Sequence, residues 1–305
     1  MKKLLAMAAV LMLSISMIGC NAITIDGEDE TIGTETAENK GGIGFSVSTL
    51  NNPFFVSLSE GAEKAAEEAG EKLIVLDAGD DAAKQTSDIE DLASKNISVL
   101  IVNPVDSDAV APAVKDAISK GIKVISVDRV VNGVEVDSAI ASDNVEGARI
   151  ATEYMISLLG ENANVVELEG VPGASATIER GKGFHIAADE VLNVLSSQTA
   201  NFNRSEGMSV MENMLQANPK IQGVFAHNDE MALGAVEAIG SRDIIVVGFD
   251  ATDDAKTAVE NGRMAATVAQ KPDLMGETAV QTAIALKNGE KVDAVIPVEV
   301  ELIKK

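Results

Sequence analysis

Asp128-Arg129, His227-Asn228-Asp229 and Phe249-Asp250 each stand directly after a short apolar run, where a strand would end and the chain would turn. Ser48 and Asn52 follow another such run, Asn103 a further one, Phe202 and Arg204 come later, and Gln270 follows residues 265–269. Asp128 and Asp250 are candidates for paired carboxylates in acid/base work. Arg129 and Arg180 stand available to neutralise them, which is expected to hold both ionised and poor as proton donors. A neutral polyol suits the set better. Its hydroxyls donate and accept at once, and Asp and Asn oxygens, Arg forks and Gln amides meet them in pairs. The C–H faces of such a ligand pack on aromatic rings. The chain has seven Phe, one Tyr and no Trp, and four of the Phe (Phe54, Phe55, Phe202, Phe249) lie beside these polar positions.

Other reaction apparatus is missing from the sequence. It holds no G-x-S-x-G elbow, no G-x-x-x-x-G-K-[ST] loop and no H-E-x-x-H helix. Gly41-Gly42-Ile43-Gly44 precedes its strand, whereas a dinucleotide fingerprint follows one. One Cys and two His cannot build a Cys/His zinc site, and neither metal nor cofactor is expected. His185 falls inside a predicted helix and reads as a surface or packing residue. His227 ends a strand and reads as either pocket rim or packing.

The elements that must hold these residues alternate along the chain. Strands are expected at 43–47, 73–76, 99–102, 124–127, 164–168, 197–202, 223–226 and 244–248. Helices are expected at 53–70, 82–95, 108–120, 145–159, 176–195, 205–217 and 231–239, with a bend near 141–143. Near-continuous apolar strands joined by amphipathic helices mean parallel sheets covered on both faces. Two such runs imply an α/β protein of two doubly wound lobes. Ligands of such sheets sit outside the carboxyl ends of the strands, which is where the polar residues gather.

With 305 residues, 46% of them hydrophobic, the chain can bury two cores and is no disordered polymer. A net charge of -24 repels a phosphate backbone, so nucleic acid is not an expected partner. Residues 1–19 read as a secretory signal: Lys2 and Lys3, an apolar run to Ile18, then Gly19. Ile18-Gly19-Cys20 resembles a bacterial lipobox, which makes Cys20 the candidate lipid anchor on the outer face of the cell membrane. Residues 20–40 continue as an acidic tether.

Eight motifs run collinearly from residue 48: STLNNPFFVSL (48–58), NPVDSDAV (103–110), SVDR (126–129), IASDN (140–144), ERGKGF (179–184), ANFNR (200–204), HNDEMALGA (227–235) and VVGFD (246–250). Together they resemble the ribose-binding proteins of bacterial sugar ABC transporters. The resemblance implies a type I periplasmic-binding fold with a three-strand hinge, its N-terminal lobe formed by residues 41–142 and 271–299 and its C-terminal lobe by 143–270 and 300–305. It implies sugar contacts from Asn52, Phe54, Phe55, Asp128 and Arg129 on one side and from Arg180, Phe202, Asn228, Asp250 and, at the hinge, Gln270 on the other. Ser48 would line the cleft and Phe249 completes the expected set. His227 stands where the family often has Gln.

Two Asp against two Arg leave that set neutral, which favours an uncharged sugar over a sugar phosphate. The implied protein is a monomer that binds ribose, or a close sugar such as allose or xylose, by closing on it, and hands it to a membrane permease. A chemoreceptor is compatible as a partner. A sugar-responsive repressor would need a DNA-binding headpiece where the signal and tether stand, and an enzyme would need a nucleophile, base or cofactor loop.

Overall fold

The computed structural model describes residues 41–305; the signal, Cys20 and the acidic tether lie outside the described residues. The chain begins with β1 (Gly42–Val47), α1 (Pro53–Ala69), β2 (Leu73–Asp77), α2 (Ala82–Ser94), β3 (Ile97–Val102), α3 (Ala111–Ser119), β4 (Lys123–Val127) and β5 (Ser138–Ser142). It continues through α4 (Asn144–Leu159), β6 (Asn164–Glu169), α5 (Ser175–Ala188), β7 (Asn193–Thr199), α6 (Arg204–Ala217), β8 (Gly223–Ala226), α7 (Asp229–Ile239), β9 (Ile245–Asp250), α8 (Asp253–Glu260) and β10 (Ala266–Ala269). It ends with α9 (Pro272–Lys287), β11 (Val295–Val298) and β12 (Glu301–Lys304).

Two six-stranded sheets result, ordered β2-β1-β3-β4-β5-β11 and β7-β6-β8-β9-β10-β12. All neighbours are parallel except β12, which runs antiparallel to β10. The two strand orders match, with the edge strands β11 and β12 running in opposite senses, so the lobes share one architecture apart from that last strand. Strands such as β3 (ISVLIV) are apolar on both faces because helices cover both. One core layer packs α1 and α9 on the first sheet and another packs α2 and α3. In the second lobe α6, α7 and α8 cover one face, with α4 and α5 on the other. The chain crosses between sheets three times, at Asp143, at Gln270-Lys271 and at Glu299-Val300.

Glycine lets paired helices touch. A Cβ on Gly276 of α9 would lie 2.0 Å from the Leu58 carbonyl of α1, and one on Gly183 of α5 2.2 Å from the Val145 carbonyl of α4. Among the described residues no helix is long and apolar enough to cross a membrane.

Two sequence expectations are corrected. The helix expected to reach residue 195 stops at Ala188, and the strand expected at 197–202 begins at Asn193 and ends at Thr199. Val191, Leu192, Val194 and Leu195 fit a helical stripe in sequence, but β7 is an edge strand paired only with β6, and its alternating burial is that of a half-covered strand. The bend expected near 141–143 is the end of β5, whose small residues Ser138-Ala139-Ile140-Ala141-Ser142 gave no apolar run.

Candidate functional site

The first lobe supplies one wall. Asn52 caps α1, its Oδ1 accepting from the Phe54 N–H at 2.9 Å, and so places Phe54 and Phe55 in the first turn. Their rings meet edge to face, 5.1 Å between centroids. Asp128 and Arg129 follow β4, with Asp128 at a φ of 65°. Asn103, after β3, holds that turn: its Nδ2 donates to the Val127 carbonyl at 3.1 Å and to Asp128 Oδ2 at 3.2 Å. Arg129 Nη1 donates to the Pro104 carbonyl at 2.8 Å, and its Nε lies 3.6 Å from Asp128.

The second lobe supplies the other wall. Arg180, from α5, donates through Nε to Asn144 Oδ1 at 2.9 Å and through Nη1 to the His227 carbonyl at 2.6 Å, and lies 3.6 Å from Asp250. Asp250 ends β9 at a φ of 120° and accepts from Gln270 Nε2 at 2.7 Å. Asn228 caps α7, accepting from the Met231 N–H, and its Nδ2 donates to the Phe202 carbonyl at 3.2 Å. The guanidinium of Arg129 sits 5.2 Å over the Phe202 ring and 5.1 Å over Phe55, so an arginine of one lobe is stacked between rings from both.

Ten of the twelve expected residues line one small cavity: Asn52, Phe54, Phe55, Asp128, Arg129, Arg180, Phe202, Asn228, Asp250 and Gln270. Two do not. Phe249 is fully buried behind the site, its ring 3.9 Å beneath the Arg180 guanidinium, because β9 turns it into the core. Ser48 is also fully buried, its N–H bonded to Asn103 Oδ1 at 3.1 Å. His227 is no rim residue either: its ring is fully buried and bonds Glu167.

The lobes are closed on one another. The Ser107 N–H donates to the Gly173 carbonyl at 2.9 Å, the Ser175 N–H to Ser107 Oγ at 3.2 Å, and the Val130 N–H to Ser175 Oγ at 3.1 Å. Burial pushes the Asp128 carboxyl up, against the opposing charges of Arg129 and Arg180 and the Asn103 hydrogen bond. Burial pushes Asp250 well up too, against Arg180 and helped by Asp229. For both carboxyls desolvation is the largest influence, with the arginines opposing it. Arg129 Nε and Gln270 Oε1 are buried with no hydrogen-bond partner in the protein. A buried polar group without a partner costs about 1–3 kcal/mol, which a ligand hydroxyl in this cavity would relieve.

Sequence reasoning placed Asp229 at a strand end without assigning it a role, and gave none to Asn144. Asn144 orients Arg180 from 36 residues away, and no local pattern marks that pairing. Asp229 accepts from the Thr252 N–H at 2.8 Å and from Thr267 Oγ1 at 2.6 Å, pinning the loop after Asp250. Among the described residues no cluster of three or more His, Cys, Asp or Glu could hold a metal ion.

The periplasmic binding protein domain family matches residues 43–291. The ribose import binding protein RbsB of Bacillus subtilis (strain 168) is 50% identical over 262 residues, 85% of this chain and 86% of that one. RbsB of Escherichia coli (strain K12) is 50% identical over 263 residues, covering 85% and 89%. Among solved structures, the Caulobacter myo-inositol binding protein bound to myo-inositol superposes with a TM-score of 0.84 at 32% identity, over 88% of this chain and 94% of that one. A D-allose-bound ABC transporter periplasmic solute binding protein from Actinobacillus succinogenes 130z gives 0.81 at 30% identity, over 87% and 98%. With two like-ordered parallel sheets closed over a polar and aromatic cavity, and with relatives half identical over most of its length, the chain belongs to the periplasmic binding protein family.

Proposed function

We propose that the chain is the extracytoplasmic binding lipoprotein of a sugar ABC importer, taking D-ribose into the interlobe cleft and delivering it to a membrane permease. Cys20 carries the lipid in this reading. The carrying observation is the balanced cavity: two buried carboxylates and two buried guanidinium groups from both lobes, with an unpartnered donor and acceptor among them. In this reading the cavity serves binding. The names of the half-identical relatives, ribose import binding proteins, support ribose as the sugar.

Lobes that supply separate halves of one hydrogen-bond set can satisfy a ligand only when closed. Binding therefore stabilises the closed form through contacts the open form lacks, and the permease reads that form. Solved structures of the same fold hold myo-inositol and D-allose, which supports a polyhydroxylated ligand in this cleft.

Thermal unfolding of the chain with ribose, allose, xylose, arabinose, glucose, galactose and myo-inositol tests the reading. A ligand at 100 times its Kd adds about 2.7 kcal/mol of stability. Ribose is expected to give the largest shift at equal concentration. A larger shift with another sugar would overturn the specificity, and no shift with any would overturn sugar binding.

A further inference from the structure

Both histidines of the chain, His185 and His227, converge on one carboxylate, Glu167 of β6, which is fully buried. His227 Nε2 lies 2.8 Å from Glu167 Oε1, His185 Nε2 lies 3.3 Å from Oε2, and Ser197 Oγ donates to Oε2 at 2.6 Å. Every polar handle of His227 is engaged. Its N–H donates to the Leu168 carbonyl at 2.9 Å, and its Nδ1 accepts from the Gly170 N–H at 3.4 Å. Nε2 is thus the donor to Glu167, which fixes the tautomer. The remaining group, the His227 carbonyl, receives Arg180 Nη1 at 2.6 Å.

The Gly170 bond matters as much. A Cβ on Gly170 would lie 2.0 Å from the Phe202 ring, so that ring rests directly on the glycine backbone that His227 holds. The imidazole therefore anchors the backbone of residue 227, whose carbonyl receives a cleft arginine, and the glycine seat of a cleft aromatic. Burial disfavours the Glu167 charge, but the hydrogen bonds from His227 and Ser197 hold its carboxyl below the usual range. Glu167 so acts as a fixed acceptor that prevents the imidazole from turning.

We propose that His227, held by Glu167, is a positioning residue for sugar binding: it sets the Arg180 guanidinium and the Phe202 ring and touches no ligand. This rests on the reading of the cleft as a ribose site. Gln at 227 can reproduce the Nε2–H donor to Glu167, whereas Leu cannot. Replacing both buried partners by apolar residues leaves no buried charge unpaired, since His185 keeps Asp189 at 2.6 Å and Ser197 is exposed, and only the Gly170 N–H loses its acceptor; such exchanges are commonly neutral for stability. The double variant Glu167→Leu/His227→Leu therefore separates positioning from folding.

The test compares the unmutated chain, His227→Gln and the double variant by ribose calorimetry, by ligand-free Tm, and by the side-chain NMR signals of Arg180 in the ligand-free protein. His227→Gln is expected to keep ribose affinity within a few-fold. The folded double variant is expected to lose about tenfold or more in affinity, the size of one misplaced buried hydrogen-bonding group, with its Tm little changed. Its Arg180 Nη–H signal should exchange with water faster than in the other two. Native affinity in the folded double variant, or an equal loss in His227→Gln, would overturn the proposal. Failure of the unmutated chain to bind ribose would instead overturn the reading of the cleft, while the Arg180 signals would still decide whether His227 positions that side chain. A double variant that does not fold hands the decision to His227→Gln and its Arg180 signal.

Discussion

Gly173→Ala isolates closure from every other property of this molecule. Gly173 follows β6 in the second lobe, and a Cβ there would lie 1.9 Å from Asp106 Oδ2 of the first lobe, about 1.5 Å short of the 3.4 Å at which ordinary contact begins. Asp106 cannot swing away freely, because its Oδ1 accepts from the N–H groups of Asp108 and Ala109 at 2.8 Å each. The closed form must then lose those bonds, strain the backbone or stop short. Overpacking of this kind costs about 1–3 kcal/mol. In the open form the lobes part and the clash vanishes, so the penalty falls on the closed form alone. Ribose affinity is expected to drop about 5- to 150-fold, the same energy expressed in Kd, while the ligand-free Tm stays within about a degree of the unmutated protein. Calorimetric titration and ligand-free melting on the same preparation measure both. Native affinity in Gly173→Ala, or a fall in ligand-free Tm that accounts for the lost affinity, would refute the reasoning.

Three further outcomes follow from the same geometry. Gly276→Ala, whose Cβ would lie 2.0 Å from the Leu58 carbonyl inside one lobe, is expected to do the reverse of Gly173→Ala, lowering ligand-free stability by about 1–3 kcal/mol in denaturant unfolding. Asp128→Asn keeps a side chain that tolerates the positive φ but removes the carboxylate, and is expected to weaken ribose binding at least about tenfold in calorimetry without unfolding the protein. Burial raises the Asp229 carboxyl from 3.8 to about 7, against its hydrogen bonds from Thr267 and Thr252. Its folded form thus binds a proton the unfolded chain lacks, a contribution fully present below 3.8 and lost as pH rises through about 7. Ligand-free stability is expected to fall by up to about 1.4 kcal/mol per pH unit within that window, and melting of Asp229→Asn from pH 5 to 8 should show the slope flattened.

The alternation of apolar strands and amphipathic helices was legible because burial on both faces of a parallel sheet leaves a continuous apolar run. Ile97–Val102 and Ile245–Asp250 carry that mark without ambiguity. β5 and β7 escaped it for opposite reasons. β5 is built from small residues that fill little space, and β7 is an edge strand whose apolar residues fit two periods equally well. The cleft residues were visible because strand ends in such sheets converge, so polar side chains there advertise a ligand. Phe249 obeyed the same rule and failed it, since adjacent residues of a strand face opposite ways: with Asp250 turned to the cavity, Phe249 turns to the core and supports Arg180 from behind. The layer that orients the cleft was hidden for a different reason. Asn144 reaches Arg180, and Glu167 reaches His227, across 36 and 60 residues, and only the fold brings them together.

That hidden layer also explains how the cleft can be built from unfavourable backbone. Asp128, Phe202, Asp250 and Ala251 have φ values of 65°, 59°, 120° and 54°, which side chains other than glycine's seldom adopt. Such conformations cost on the order of 1–3 kcal/mol each and persist only where the surroundings overdetermine them. Here each has its own restraint, the Gln270 amide holding the Asp250 carboxylate. Asn103 bonds the carbonyl before Asp128 and the carboxylate itself. Asn228 bonds the Phe202 carbonyl while capping α7. Thr267 Oγ1 accepts from the Ala251 N–H at 3.1 Å and donates to Asp229, which also takes the Thr252 N–H. These restraints lie within single lobes, whereas Ser107, Gly173 and Ser175 act between them. The strained, preoriented walls therefore survive opening, and the entropy of ordering the sugar contacts is met by folding rather than at each binding event. Closure then has only to join two finished halves.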